Sequence, residues 1–152
     1  MYYELPEVLG MHGSDGKHHG INPWTLLVAV VTIVVIGIRC GLRIGDVLSL
    51  PFDPMRRDST DQHTLVYRNH KLDREVALPV VHEDVVDVIK RQQDAVRERF
   101  PDGCRWLFPR LTGNPDGERH VPYPTLRGQL EEWLETCPIV DSTGASAHVT
   151  FH

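Results

Sequence analysis

Cysteine is scarce in this sequence and is not spaced for structural chemistry. Cys40, Cys104 and Cys137 are odd in number and far apart, and no C-x-x-C pair occurs. That pattern argues against both a disulfide framework and a zinc site, and it fits a reducing cytoplasm. A secretory start is also missing, because acidic Glu4 and Glu7 flank Pro6 where a signal peptide would have basic residues followed by an apolar run. Only one long apolar stretch exists, Trp24 to Ile38 (WTLLVAVVTIVVIGI), and it is closed by Pro23 and Arg39. A helical span needs about 20 apolar residues, so this stretch reads as a buried helix. Hydropathy by itself does not separate the two, and a membrane-anchored interaction domain built on it stays open as an alternative. There is no Gly-rich phosphate loop, no Gly-x-Ser-x-Gly elbow, no metal-ligand spacing and no internal repeat. These absences weigh against nucleotide-driven, serine-hydrolase and metal-hydrolase chemistry, and no cofactor or metal is expected.

What is present is the composition of a folded domain. The 152 residues are 41% hydrophobic and 24% charged, enough to bury one core but not two. A net charge of -5 counts at first against a nucleic-acid partner, since Lys and Arg supply most affinity for phosphates. The distribution modifies that view. Arg39, Arg43, Arg56, Arg57, Arg68, Lys71 and Arg74 outnumber the acids of the same stretch, Asp46, Asp53, Asp58, Asp61 and Asp73, so a slightly basic centre lies between acidic flanks.

The expected organisation is a flexible lead-in over 1–22, rich in Gly and His, followed by one folded unit over 23–152. His12, His18 and His19 in the lead-in lack carboxylate or thiolate partners at ligand spacing and read as solvated. Asn22-Pro23 supplies a cap and a first-turn proline for the apolar helix. After Gly41, the residues Leu42, Ile44, Val47, Leu48 and Leu50 suit one face of a short helix ended by Pro51, with Arg43 and Asp46 on its polar face. Strands are expected at Phe52–Arg57, Thr64–Arg68 and Glu75–Val80, the last two joined by a polar turn over 69–73. Glu83 to Phe100 has the period of an amphipathic helix with Val85, Val86, Ile89, Val96 and Phe100 inward. A short buried run (Trp106, Leu107, Phe108) and a loop over 112–119 follow, then a helix over Pro124–Cys137 with Leu126, Leu130, Trp133 and Leu134 inward. The expected class is α+β, mainly helical with a small three-stranded antiparallel sheet.

That order brings certain residues into a recognisable pattern. The segment Cys40-Gly41-Leu42-Arg43-Ile44-Gly45-Asp46-Val47-Leu48-Ser49-Leu50 resembles the first conserved box of the tyrosine recombinases (phage integrase family), Thr-Gly-Leu-Arg-x-x-Glu-Leu-x-x-Leu. It departs at Cys40, where the family usually has Thr or Ser, and at Asp46, where it more often has Glu. The turn Lys71-Leu72-Asp73-Arg74 closing on Pro79 is similar to the family's hairpin, which carries its lysine between the second and third strands. Trp106-Leu107-Phe108-Pro109 resembles the Leu-Phe-Pro segment, and Val149-Thr150-Phe151-His152 the start of the second box, His-x-x-Arg-His. The resemblance runs from about Pro23 to His152 as a series of short motifs in the right order.

The resemblance implies catalytic roles for Arg43, Lys71 and His152. A guanidinium offers phosphate oxygens a planar fork that keeps its proton, an ammonium on a flexible stem can protonate the departing 5'-oxygen, and His152 would add a donor. Asp46, one turn beyond Arg43, would accept hydrogen bonds and fix the arginine rotamer. In the family a tyrosine then attacks phosphorus to give a 3'-phosphotyrosyl intermediate, with no metal or nucleotide cofactor. Tyr2, Tyr3, Tyr67 and Tyr123 stand at none of the family's positions for it, and the second arginine and second histidine of the box are missing from the sequence. The expectation is therefore a partial catalytic domain, inactive alone, marginally stable or associating, whose partners are double-stranded DNA and other recombinase protomers, with no membrane. A DNA- or recombinase-binding remnant without chemistry is the alternative. Locally, Arg43 can instead be paired with Asp46 at a helix end, Lys71 can be an exposed turn lysine, and His70 and His148 read most simply as surface residues.

Overall fold

The computed structural model describes residues 22–136 and 140–146. The lead-in up to Ile21, Cys137 and His152 lie outside the described residues. The chain runs α1 (Pro23–Cys40), α2 (Ile44–Leu48), β1 (Met55–Arg57), β2 (His63–Asn69), β3 (Arg74–Pro79), α3 (Glu83–Arg99) and α4 (Tyr123–Thr136). It is a mixed α+β fold, mainly helical, with an antiparallel sheet in the order β1-β2-β3.

Helix α1 forms where the sequence provides both ends. Asn22 accepts the Trp24 N–H at 3.0 Å through its side chain, Pro23 occupies the first turn, and Gly41 closes the helix at φ 65°, where a side chain would be strained. Ile33 and Ile36 are fully buried on one face, while Trp24, Val31 and Ile38 remain exposed on another. The buried face lies against α3, which contributes Val85 and Ile89 to the same cluster. Thr32 lies in this contact, donating its hydroxyl to the Val28 carbonyl at 2.8 Å with the Val88 carbonyl of α3 at 3.3 Å. At the end of α1, Arg39 meets Asp84 in the first turn of α3 at 3.0 Å, a pairing both helix dipoles favour. Among the described residues no helix is long and apolar enough to cross a membrane. Its 18 residues give α1 a length of about 27 Å at about 1.5 Å per residue, short of a bilayer core. That finding counts against the anchor alternative.

Two polar side chains on α3 join the helical layer to the rest. Gln92 and Gln93 are buried among its valines, and their amides donate to the Leu107 carbonyl at 2.8 Å and the Phe52 carbonyl at 2.9 Å. Segments 50–52 and 105–107 are themselves paired, Leu107 N–H to the Leu50 carbonyl at 3.0 Å and Phe52 N–H to the Arg105 carbonyl at 2.9 Å. This pairing corrects the expected first strand at Phe52–Arg57. Phe52 is drawn to the 105–107 segment, Pro54 is buried with its carbonyl accepting from Val66 N–H at 2.8 Å, and only Met55–Arg57 remains to form β1. The short helix likewise contracts to Ile44–Leu48, because Arg43 is extended at φ -70°, ψ 149°. In α4, Leu126 and Leu130 are buried as expected, and Leu134 is half-buried.

Ile36→Ala removes a fully buried side chain at the α1–α3 contact and is expected to destabilise the fold by about 2–5 kcal/mol in chemical denaturation. Arg39→Ala removes a half-exposed ion pair and is expected to cost no more than about 1 kcal/mol in the same measurement.

Candidate functional site

Three unrelated segments meet at one cleft of about 350 Å³. Arg43, Gly45, Asp46 and Ser49 line it from α2 and its lead, His70 and Lys71 from the β2–β3 turn, and His120 from the loop before α4. The Gly41 turn ends α1 and sets up an extended Arg43, whose carbonyl accepts the Asp46 and Val47 N–H groups at 3.0 Å each. Its backbone thus starts α2 while its side chain stays exposed.

Asp46 behaves differently from the sequence expectation. It is buried, 6% exposed, and not on a solvated polar face. Its Oδ1 accepts the His70 backbone N–H at 3.2 Å and lies 2.8 Å from His70 Nδ1, which must carry the proton to donate there. The carboxylate therefore grips the β2–β3 turn, and no hydrogen bond joins it to Arg43 among the described residues. A buried carboxylate needs such donors, and His70 supplies two.

The turn itself is built from local chemistry. Asn69 accepts the Leu72 N–H at 3.0 Å through its side chain, Asp73 takes a left-handed conformation at φ 48°, and Arg68 pairs with Asp73 across the base. Lys71 sits exposed at the tip. Unlike Arg39, Arg57, Arg68 and Arg97, which each meet a carboxylate, Arg43 and Lys71 have no ion-pair partner among the described residues. Among the described residues lining the cleft, two cations stand against one carboxylate, which is held by His70, so the balance of charge favours an anion.

His70, read from sequence as a surface residue, and His120, which sequence reading passed over, are the additions made by the structure. Adjacency of His70 to Lys71 was visible; its bond to Asp46 was not. His152 lies outside the described residues. Neither described thiol is suited to act as a nucleophile, because burial, reinforced by nearby Asp84, pushes the Cys40 thiol up, and burial likewise raises Cys104. Among the described residues no group of three or more His, Cys, Asp or Glu side chains is placed to hold a metal ion.

Comparison with known proteins finds relatives among transposon proteins. Over 115 residues, 76% of the chain, it is 33% identical to transposase B from transposon PsiTn554 of Staphylococcus aureus. It is 32% identical, also over 115 residues, to transposase B from transposon Tn554 of Staphylococcus aureus strains Mu50 and N315. The matched segment spans about 17% of the length of these relatives. No protein-family profile matches the chain, and no solved structure does.

Asp46→Ala is expected to free the turn that carries Lys71. Amide hydrogen exchange at His70 should rise by about five- to a hundredfold, as expected for losing a buried acceptor worth about 1–3 kcal/mol, while amides in α1 keep their protection.

Proposed function

We propose that residues 23–152 form the opening part of a DNA strand-breaking and rejoining domain of the tyrosine recombinase type, acting in DNA transposition or integration. The observation that carries this is the meeting of Arg43 and Lys71 in one cleft, free of carboxylate partners among the described residues, although they belong to separate elements. The similarity to transposase B and the order of the sequence motifs support the same assignment. Double-stranded DNA is the substrate, other recombinase protomers are the partners, and the cytoplasm is the setting.

In this mechanism Arg43 holds the non-bridging oxygens of the scissile phosphate with its guanidinium fork as negative charge builds around phosphorus. Lys71 reaches the leaving 5'-oxygen from the turn tip and delivers its proton there. Asp46 is a positioning residue, holding the lysine turn through His70. His152 adds a donor to the phosphate. A tyrosine supplied outside these residues attacks phosphorus, conserving the bond energy in a 3'-phosphotyrosyl link for rejoining. A binding remnant would use the same cleft without the final attack.

The chain is expected to bind short duplex DNA with an affinity that falls as salt rises, and Arg43→Ala or Lys71→Ala should each weaken binding about tenfold and lower the salt slope by about one. Fluorescence anisotropy across a salt series measures both. Binding that ignores both substitutions would refute the phosphate role of the cleft. An extended chain carrying the second arginine, second histidine and a tyrosine should form a covalent DNA adduct that either substitution suppresses, and DNA binding without any adduct would leave the remnant.

A further inference from the structure

We infer that His120 is a third phosphate-binding group of the cleft, donating a hydrogen bond through Nε2 to the same phosphodiester as Arg43. This rests on the phosphodiester reading of the cleft and adds to it a residue that belongs to none of the motif segments.

The ring of His120 is held in one orientation from several sides. Its Nδ1 lies 3.1 Å from the Val121 carbonyl, and since a carbonyl only accepts, that nitrogen carries a proton. The ring stands edge-on to Trp106, with centroids 5.1 Å apart and planes at 70°. Trp106 is fixed in turn, its indole N–H donating to the Glu118 carbonyl at 2.9 Å and the Arg105 guanidinium 4.9 Å above its ring. The backbone is equally constrained, with Val121 N–H bonded to the Phe108 carbonyl at 2.8 Å and Arg110 N–H to the Arg119 carbonyl at 2.9 Å. Leu107, next to Trp106, is bonded to Leu50 just beyond α2, so this wall is tied to the element that follows Arg43. A half-buried imidazole is thereby presented to the cleft, and its Nε2 makes no hydrogen bond to a described residue.

Chemistry then selects the ligand. With Nδ1 committed as a donor, Nε2 is the nitrogen that gains or loses the titrating proton. A phosphodiester offers acceptors only, so it bonds to Nε2 when that nitrogen is protonated, and anion and proton are taken up together. Binding is therefore stronger when Nε2 carries its proton and weakens when that proton is lost as pH rises. Among the described residues, the charged and titratable groups that line the cleft with this ring are Arg43, Lys71 and Asp46 with its bound His70, and Arg105, paired with Glu118, lies on the Trp106 side. Arg43 and Lys71 attract a bound anion whether or not the ring is protonated. His70 is the other imidazole of the cleft; its Nδ1 is occupied by Asp46, and it can be replaced as a control.

The test uses the 152-residue chain and a dinucleoside monophosphate, whose single diester charge is constant across the neutral range. Titration is followed by nuclear magnetic resonance of the imidazole nitrogens at acidic and at mildly alkaline pH. Expected are a shift of His120 Nε2 on binding with Nδ1 still protonated, and about tenfold weaker acidic-side binding in His120→Phe, which keeps a ring against Trp106. His120→Gln, which keeps a neutral donor, should restore most of the affinity but not its pH dependence, and His70→Gln should leave that dependence largely in place. Binding that needs Arg43 but is unchanged in His120→Phe at both pH values overturns this inference and leaves the cleft assignment standing. No binding, or binding indifferent to Arg43→Ala and His120→Phe alike, overturns both.

Discussion

Burial of α1 is the constraint from which the remaining structure follows. From Trp24 to Ile38 the helix carries no charged side chain, and its inner face, with Ile33 and Ile36, has to be covered by apolar surface to leave water. Helix α3 provides that cover with Val85 and Ile89, and Arg39 and Asp84 fix the end where the two helices meet. Gly41 lies one residue past α1, so the position of the buried helix also fixes where Arg43 enters the cleft. The backbone position of Arg43 is thus a direct consequence of core packing.

Buried polar groups then decide how the non-helical segments are arranged around that core. Gln92 and Gln93 take up inward positions that pattern alone would give to apolar residues, and each donates to a backbone carbonyl of a distant segment. Those carbonyls belong to Phe52 and Leu107, on the paired segments that lead from α2 to the sheet and from α3 toward α4. Specificity comes from the direction of such bonds, whereas the apolar cluster is indifferent to direction. The wall that carries Trp106 and His120 is consequently held in register with α2.

Asp46 performs the corresponding task on the opposite wall. Two donors from His70 satisfy its buried carboxylate, and the hairpin turn with Lys71 at its tip is thereby fixed beside Arg43. The cations of the cleft are left without carboxylate partners among the described residues because the local acid is already engaged. The backbone that carries both cations is thus set by the fold, on two elements that Asp46 ties together.

The sequence by itself determined the elements and two of the cleft's cations. Caps at Asn22 and Gly41, a helical period in Glu83–Arg99 and alternating strands around a polar turn are local signals, written in neighbouring residues. Arg43 and Lys71 stood out because short motifs surround them. The tertiary structure alone decided that Asp46 is buried against His70, that Phe52 leaves the first strand for the 105–107 segment, and that His120 reaches the same cleft. Each of these depends on contacts between residues far apart in the chain, whose free energy is set by packing and desolvation in three dimensions and leaves no period or spacing in the sequence to read.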